Sequence, residues 1–150
     1  MGNDDIGESR SRRRGISLFR GTGAPGLFES GTMTFPEFDP DDQAVIADDG
    51  PPPDLIVEGN LDEVLFRGEE DDGFSLVRTW FAPHYVLPRH THEADCLYYV
   101  AEGSLTMGSR ELTVCDGFFV PANAPYGYEA GPDGGVVLEV RAKTWLGMQI

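Results

Sequence analysis

The sequence predicts an all-β fold, and two features of the chain indicate it. Short runs of β-type residues follow one another after residue 53 with turn residues between them: DLIVEG, EVLFRG, FSLVRTWFA, CLYYVAEG, SLTMG, RELTV, GFFVPA, YGYEA and VVLEVR. The 19 glycines and 11 prolines make up one residue in five, which shortens any helix and favours strands joined by turns. A parallel sheet would need helical crossovers of about a dozen residues between strands, so the runs predict an antiparallel sandwich or barrel.

The length of 150 residues fits one domain with its own core. Composition divides it into a flexible tail rich in Gly, Ser and Arg (1–30), an acidic, Pro-rich approach segment (31–53), the barrel (54–141) and a C-terminal extension (142–150). The only weak helical candidates are residues 41–47 and 142–149.

The charge is strongly negative and unevenly spread. The formal net charge is −15, and residues 37–72 carry fourteen acids against Arg67 alone. A field of this sign argues against nucleic acid or an anionic membrane as a partner. The sequence has neither an apolar run of about 20 residues nor a secretory signal, and its two cysteines are predicted to be free thiols, so we expect a cytoplasmic protein.

All three histidines lie within nine residues, at His84, His90 and His92. On a strand, the spacing of His90 and His92 points both imidazoles to the same face. Inside a barrel, one strand could therefore supply two ligands to a metal ion.

Two stretches of the chain resemble the motifs of the cupin superfamily. The first runs from Pro83 to Gly103, where the chain supplies the motif residues Pro83, Pro88, His90, His92 and Gly103 in register. The second runs from Cys115 to Ala130, where it supplies Asp116, Pro121 and Pro125. The resemblance implies a double-stranded β-helix, which is a small jelly-roll barrel, and a homodimer.

The chain departs from both motifs at five positions. Three residues stand where the motifs have glycine: His84, Cys115 and Asn123. Cys96 stands at the position of the glutamate ligand, and Tyr126 at that of the third histidine. Two of the four usual metal ligands are therefore kept.

These residues leave three hypotheses for the site. In the first, His90 and His92 with Tyr126 or Cys96 hold one divalent ion (Fe, Zn, Mn, Ni or Cu), although the phenol and the thiol must first lose protons with ordinary pKa values of about 10 and 8.5. In the second, the site is an apolar pocket for an organic ligand. In the third, the histidines are a structural pair.

Alternation along the strands predicts which side chains face inward. Counting from His92 places Cys96, Tyr98 and Val100 on the inner face, and counting from Tyr126 adds Tyr128. Three tyrosines, Tyr98, Tyr126 and Tyr128, would then line one cavity as substrate-binding walls with hydroxyl tips.

The function that follows is a metal-dependent enzyme acting on a small organic molecule, of the oxygenase, isomerase, lyase or cyclase type. The alternative is a small-ligand-binding or sensory cupin without catalysis or a tightly bound metal. A third interpretation is an interaction module whose acidic segment docks a basic partner.

Overall fold

Eight strands, and no helix, form the regular structure of the described part of the chain, which in this computed structural model comprises residues 15–27, 29–32, 59–70, 73–145 and 148–149. The strands are β1 (Asn60–Arg67), β2 (Ser75–Phe81), β3 (Val86–His92), β4 (Cys96–Met107), β5 (Arg110–Thr113), β6 (Gly117–Val120), β7 (Tyr126–Arg141) and β8 (Met148–Gln149). The pairings between them are antiparallel, so the predicted all-β class is confirmed.

Strand β7 organises the sheet because its two halves pair with different neighbours. Its first half pairs with β3, its second half pairs with β2, and β4 runs along both halves. The predicted runs CLYYVAEG and SLTMG are thus one strand, β4, and YGYEA and VVLEVR belong to one strand, β7. The sequence suggested a break in each, because glycines interrupt both runs.

The glycine in the middle of β4 permits a close approach to β7. Gly103 has φ +70°, and a Cβ atom there would lie 2.1 Å from the carbonyl oxygen of Gly134. The register between the two strands shifts next to this point, between Gly103 and Leu105. Glycine is required here by both conformation and space.

Inward-facing residues alternate along β2, β4 and β7, as the sequence predicts for a half-buried sheet. The apolar core is built from Phe81, Val100, Leu105 and Val137, together with Tyr98, Tyr126, Tyr128 and their neighbours. These rings and aliphatic side chains fill the space between the strands.

A chain of polar groups crosses the same interior. Thr79 Oγ1 donates to Asp62 Oδ1 at 2.6 Å and lies 3.4 Å from Glu139 Oε1. Glu139 Oε2 accepts from Arg141 Nε at 3.0 Å and also from Nη2. Thr79, Glu139 and Arg141 are all buried, so the Glu139–Arg141 ion pair is shielded from water.

Part of the segment predicted to be a flexible tail, residues 1–30, packs against β1. Val64 N donates to Pro25 O at 2.8 Å, and Leu27 is buried in a small cluster with Val64 and Val77. Leu27 is the apolar anchor that the composition of the tail obscured. Residues 1–14 and 33–58, with most of the acidic approach segment and the helical candidate 41–47, lie outside the described residues.

The prediction of a helix at residues 142–149 is wrong. Residues 142–145 form bends, and Met148–Gln149 pair with His92 and Thr91 of β3. Backbone pairing with the edge of β3 decides the conformation of these last residues. In the part of the chain described here, no helix is long and apolar enough to cross a membrane.

We expect Gly103→Ala to destabilise the protein far more than Gly108→Ala. Both glycines have positive φ, but an added Cβ meets the Gly134 backbone at position 103 and nothing within 4 Å at position 108. The left-handed strain of about 1–2 kcal/mol is common to both variants, so the difference isolates the clash. Thermal unfolding measures it, and equal losses of melting temperature would contradict the close β4–β7 approach.

We expect Asp62→Asn to change how stability depends on pH. Burial, assisted by the Glu139 carboxylate, raises the pKa of Asp62 from 3.8 to about 6. Because the folded pKa is the higher one, the stability from the bound proton is present below about pH 4 and is lost as the pH rises through about 6.

The free energy of unfolding of the wild type minus that of Asp62→Asn should therefore fall between pH 4 and 6 and level off above pH 7. Urea titrations across this range measure the difference, with the exposed Asp133→Asn as the control. A flat or rising difference for Asp62→Asn would show that this carboxyl is not held as described.

Candidate functional site

Strand β3 places His90 and His92 side by side inside the barrel. Both side chains are buried, and their ring centroids lie 4.7 Å apart. The two Nε2 atoms lie 3.1 Å apart, within hydrogen-bonding distance of each other, so both rings direct the same nitrogen toward one point. The i, i+2 spacing on a strand produces this convergence.

The proton of His90 is fixed by the backbone. Its Nδ1 lies 2.7 Å from the carbonyl oxygen of Pro88, and a carbonyl can only accept, so Nδ1 carries the hydrogen. Burial lowers the pKa of His90, which favours the neutral ring. In that ring Nε2 bears the lone pair that ligates metals, and the carbonyl orients it as a second-sphere partner does in metal sites.

The histidine pair fits a metal ion. With metal–nitrogen bonds of about 2.0–2.1 Å, two imidazole nitrogens on one ion lie about 2.9–3.4 Å apart for bond angles from 90° to tetrahedral. The observed separation of 3.1 Å falls within this range. Among the residues that the structure describes, no group of three or more His, Cys, Asp or Glu side chains is arranged to hold a metal.

Tyr126 lies against both histidines. Its ring centroid is 4.5 Å from that of His90 and 6.0 Å from that of His92. Its hydroxyl shares a short hydrogen bond with the hydroxyl of Tyr98. Burial raises the pKa of both phenols well above their ordinary value, so both hold their protons at neutral pH.

Cys96 is buried at the start of β4, where its Sγ contacts the carbonyl oxygen of Ala94 at 3.5 Å. Burial raises the pKa of its thiol to about 11. It is a free cysteine, as predicted, and so is the exposed Cys115. A thiol in this environment stays protonated unless a metal displaces the proton.

The third histidine lies outside this group. His84 is exposed at a turn, with Nδ1 3.7 Å from Glu129 Oε1. It has φ +59°, and the other non-glycine residues with positive φ in the described chain are Cys115 (+75°) and Asn123 (+63°). These are the three positions where the cupin motifs have glycine, so the turns keep the left-handed backbone although the side chains differ.

Sequence reasoning missed Glu139 and Arg141 as site residues. Their inner position follows from alternation along VVLEVR once Val137 is placed inside, because Glu139 and Arg141 follow at steps of two. Across the β4–β7 pair, Arg141 lies opposite Cys96 and Glu139 lies opposite Tyr98. The buried ion pair therefore neighbours the residues predicted for the site.

A groove of about 460 Å³ opens beside the site. Its lining includes Leu87, Pro125, Tyr126 and Tyr128, together with the charged Arg89 and Glu129. Tyr126 and Tyr128 also belong to the buried core, so these two side chains are shared between the groove and the barrel interior.

Comparison with solved structures identifies the fold. An oxalate oxidase is 19% identical, matches over 61% of this chain and 55% of its own, and gives a TM-score of 0.52. A protein of unknown function with a cupin-like fold from Ralstonia eutropha is 21% identical over 57% of this chain and 61% of its own, with a TM-score of 0.50. The DMSP lyase DddQ from Ruegeria pomeroyi is 17% identical over 57% of this chain and 47% of its own, with a TM-score of 0.50.

No family model matches the chain, and no curated protein matches it. These structural matches cover 57–61% of the chain at low identity, and they establish its architecture. The resemblance that the two motifs indicated is confirmed at this level: the chain has the fold of the cupin superfamily.

Proposed function

We propose that this protein is a small-molecule cupin enzyme in which His90 and His92 hold one divalent metal ion inside the barrel. The observation that carries the proposal is the convergence of the two Nε2 atoms at 3.1 Å, with Nδ1 of His90 bound to Pro88. Solved structures with this fold include a lyase and an oxidase, which supports an enzymatic role of that general kind. Fold likeness by itself does not choose a reaction.

Different residues of the chain have different roles in such a site. His90 and His92 are the proposed ligands, and a bound ion with open positions would act as a Lewis acid on a substrate oxygen. Tyr126 and Tyr128, which line the groove, and Tyr98, whose hydroxyl shares a hydrogen bond with that of Tyr126, are the proposed substrate-binding residues. The surrounding aromatic rings keep water away from the histidines.

The alternative is a ligand-binding cupin without catalysis or a tightly bound metal, and one observation favours it. Burial holds both Tyr126 and Cys96 in their protonated forms, leaving the two imidazoles as the ready ligands. Two histidines alone bind a metal weakly. The two free thiols support the predicted cytoplasmic location in either case.

We expect about one metal ion per chain in protein purified without a histidine tag, and close to none in the variant carrying both His90→Ala and His92→Ala. His84→Ala is the matched control, since it removes the exposed third histidine and should leave the metal content unchanged. Elemental analysis gives the stoichiometry, and circular dichroism checks that each variant is folded. A wild type that contains no metal and is equally stable after chelator treatment would overturn the metal proposal in favour of the binding protein.

The same measurement on Tyr126→Phe and Cys96→Ser tests the two further proposed ligands. A drop in metal content or affinity in either variant assigns that side chain to the metal. Unchanged metal in both restricts the protein ligands to the histidine pair.

We also propose that the protein is a homodimer formed through the outer face of β6, β4, β7, β2 and β1. Cross-strand register places Phe119 beside Leu97, and Leu97 beside Val140. The large side chains of this outer face that are about half exposed are Leu61, Trp80, Leu97, Tyr99, Phe119 and Val140. At about 150–250 Å² for a large aromatic side chain and less for an aliphatic one, they leave on the order of 500 Å² of apolar surface in solvent.

A second copy of the chain suits this face better than a charged partner. A standard interface covers about 800 Å² on each side, a little over half of it apolar, which matches the exposed apolar area. The charged residues described on this face include Arg78 and Glu63, which neutralise each other through a 2.7 Å hydrogen bond. Copies of a chain with net charge −15 repel each other, so the apolar part of this face around Leu97, Phe119 and Val140 is where two can meet.

We expect the wild type to elute and scatter light as twice its 16.4 kDa chain mass and Phe119→Glu to become monomeric. The mutation buries an unpaired charge in the proposed interface. Val86→Glu is the control, because Val86 is similarly exposed but lies on β3, outside this face. A monomeric wild type, or a Phe119→Glu variant that stays dimeric, would rule out this interface.

A further inference from the structure

Residues 15–20, which precede the first strand, carry two aliphatic side chains that the rest of the described chain leaves in solvent. Ile16 is 95% exposed and Leu18 is 91% exposed, whereas the next most exposed large apolar side chain of the described residues, Phe74, is 62% exposed. Burying a side chain of this size contributes about 1.5–3 kcal/mol relative to leaving it in water. A surface that covers this aliphatic pair would therefore gain binding free energy from both members.

The segment is attached to the outer face of β1 and β2. The ring centroid of Phe19 lies 6.0 Å from that of Phe66 on β1. Gly21 lies against side chains of both strands, since a Cβ atom there would be 3.6 Å from Leu65 Cδ2 and 3.5 Å from Arg78 Nη1. Arg78 occupies an outward position of β2. The aliphatic pair is therefore attached beside the face proposed for the homodimer.

The same part of the chain is cationic in an otherwise acidic protein. Residues 10–20, which we call the N-terminal arm, contain no acid and five arginines: Arg10, Arg12, Arg13, Arg14 and Arg20. The remainder of the chain has 26 acids against six other basic residues. Exposed opposite charges attract within a screening length of about 8–10 Å at ordinary ionic strength, so the arm favours an acidic surface.

A second copy of the chain combines the two properties that suit this arm. Its outer face exposes the apolar side chains of Leu97, Phe119 and Val140, and its net charge is −15. The surface of the same protomer does not fill this role, because the aliphatic pair stays exposed in the single chain. Nucleic acid or an anionic membrane would attract the arm but repel the acidic remainder of the chain.

We propose that the N-terminal arm binds the outer face of a second copy, with Ile16 and Leu18 against its apolar side chains and the arginines facing its carboxylates. The inference rests on the proposed homodimer for the face that the two copies share. It adds a source of attraction, because the arginines of both arms offset part of the repulsion between two acidic copies.

The first test replaces the aliphatic pair. We expect the variant carrying Ile16→Ser and Leu18→Ser to have a dimer dissociation constant at least tenfold higher than that of the wild type, measured by sedimentation equilibrium on the full chain. Tenfold corresponds to about 1.4 kcal/mol, less than the burial of one such side chain contributes. Val86→Ser is the matched control, since Val86 is 54% exposed on β3, outside this face, and the dissociation constant should not change.

The second test replaces the charge of the arm. We expect Arg12→Ser, Arg13→Ser and Arg14→Ser together to weaken the dimer at low salt. The difference from the wild type should shrink as salt is added, because ions screen the attraction between the arm and the acidic face. An unchanged dissociation constant in this variant, or a difference that salt does not alter, would overturn the inference.

The outcomes separate the arm from the interface. A dimer that is as tight without the aliphatic pair as with it would overturn the arm's role, while a monomeric Phe119→Glu variant would keep the proposed interface. A monomeric wild type would contradict both. Cosedimentation of the wild type with phosphatidylglycerol vesicles that is lost without the aliphatic pair, with the dimer unchanged, would assign the arm to a membrane and overturn the second copy as its partner.

Discussion

The antiparallel pairing of β4 with β7 is the constraint on which the rest of the structure depends. It begins with Cys96 opposite Arg141 and continues past Gly103 to Thr106 opposite Glu129. Strand β7, which carries the buried Glu139–Arg141 pair, also pairs with β2 at one end and with β3, the strand of the histidines, at the other. The close contact of Gly103 with Gly134 lets one continuous strand lie along both halves of β7.

The interior beside this pairing contains both apolar aromatic rings and a buried ion pair, although apolar surroundings disfavour charge. The aromatic rings lower the local dielectric, and this raises the pKa of the phenols and of the Cys96 thiol. The Glu139–Arg141 pair is stable in that environment only because its members satisfy each other. Desolvation thus keeps the phenols and the thiol near the histidines protonated. It also increases how strongly each remaining hydrogen bond distinguishes charged from neutral partners.

The sequence contained enough information for the fold and for half of the site. The spacing of His90 and His92 and the alternation from Cys96 to Val100 depend only on strand geometry, which local sequence determines. The hydrogen bond of His90 Nδ1 to Pro88 is local as well, since the two residues are two apart on β3. The contact between Tyr98 and Tyr126 depends on pairing between distant strands, which no single run reveals. Glu139 and Arg141 looked like ordinary surface charges until the register of β7 placed them opposite Tyr98 and Cys96.

The three left-handed residues His84, Cys115 and Asn123 also affect the unfolded chain. A glycine at such a turn adopts the required φ without strain but leaves the unfolded chain more conformational freedom to lose. A side chain there introduces strain into the native turn and narrows the unfolded ensemble, so the two effects oppose each other. At a positive φ the native strain exceeds the entropy gain for most side chains, but Asn and His adopt this region more readily than other residues. The backbone path of these turns is therefore kept while the side chains at the strand ends differ chemically from glycine.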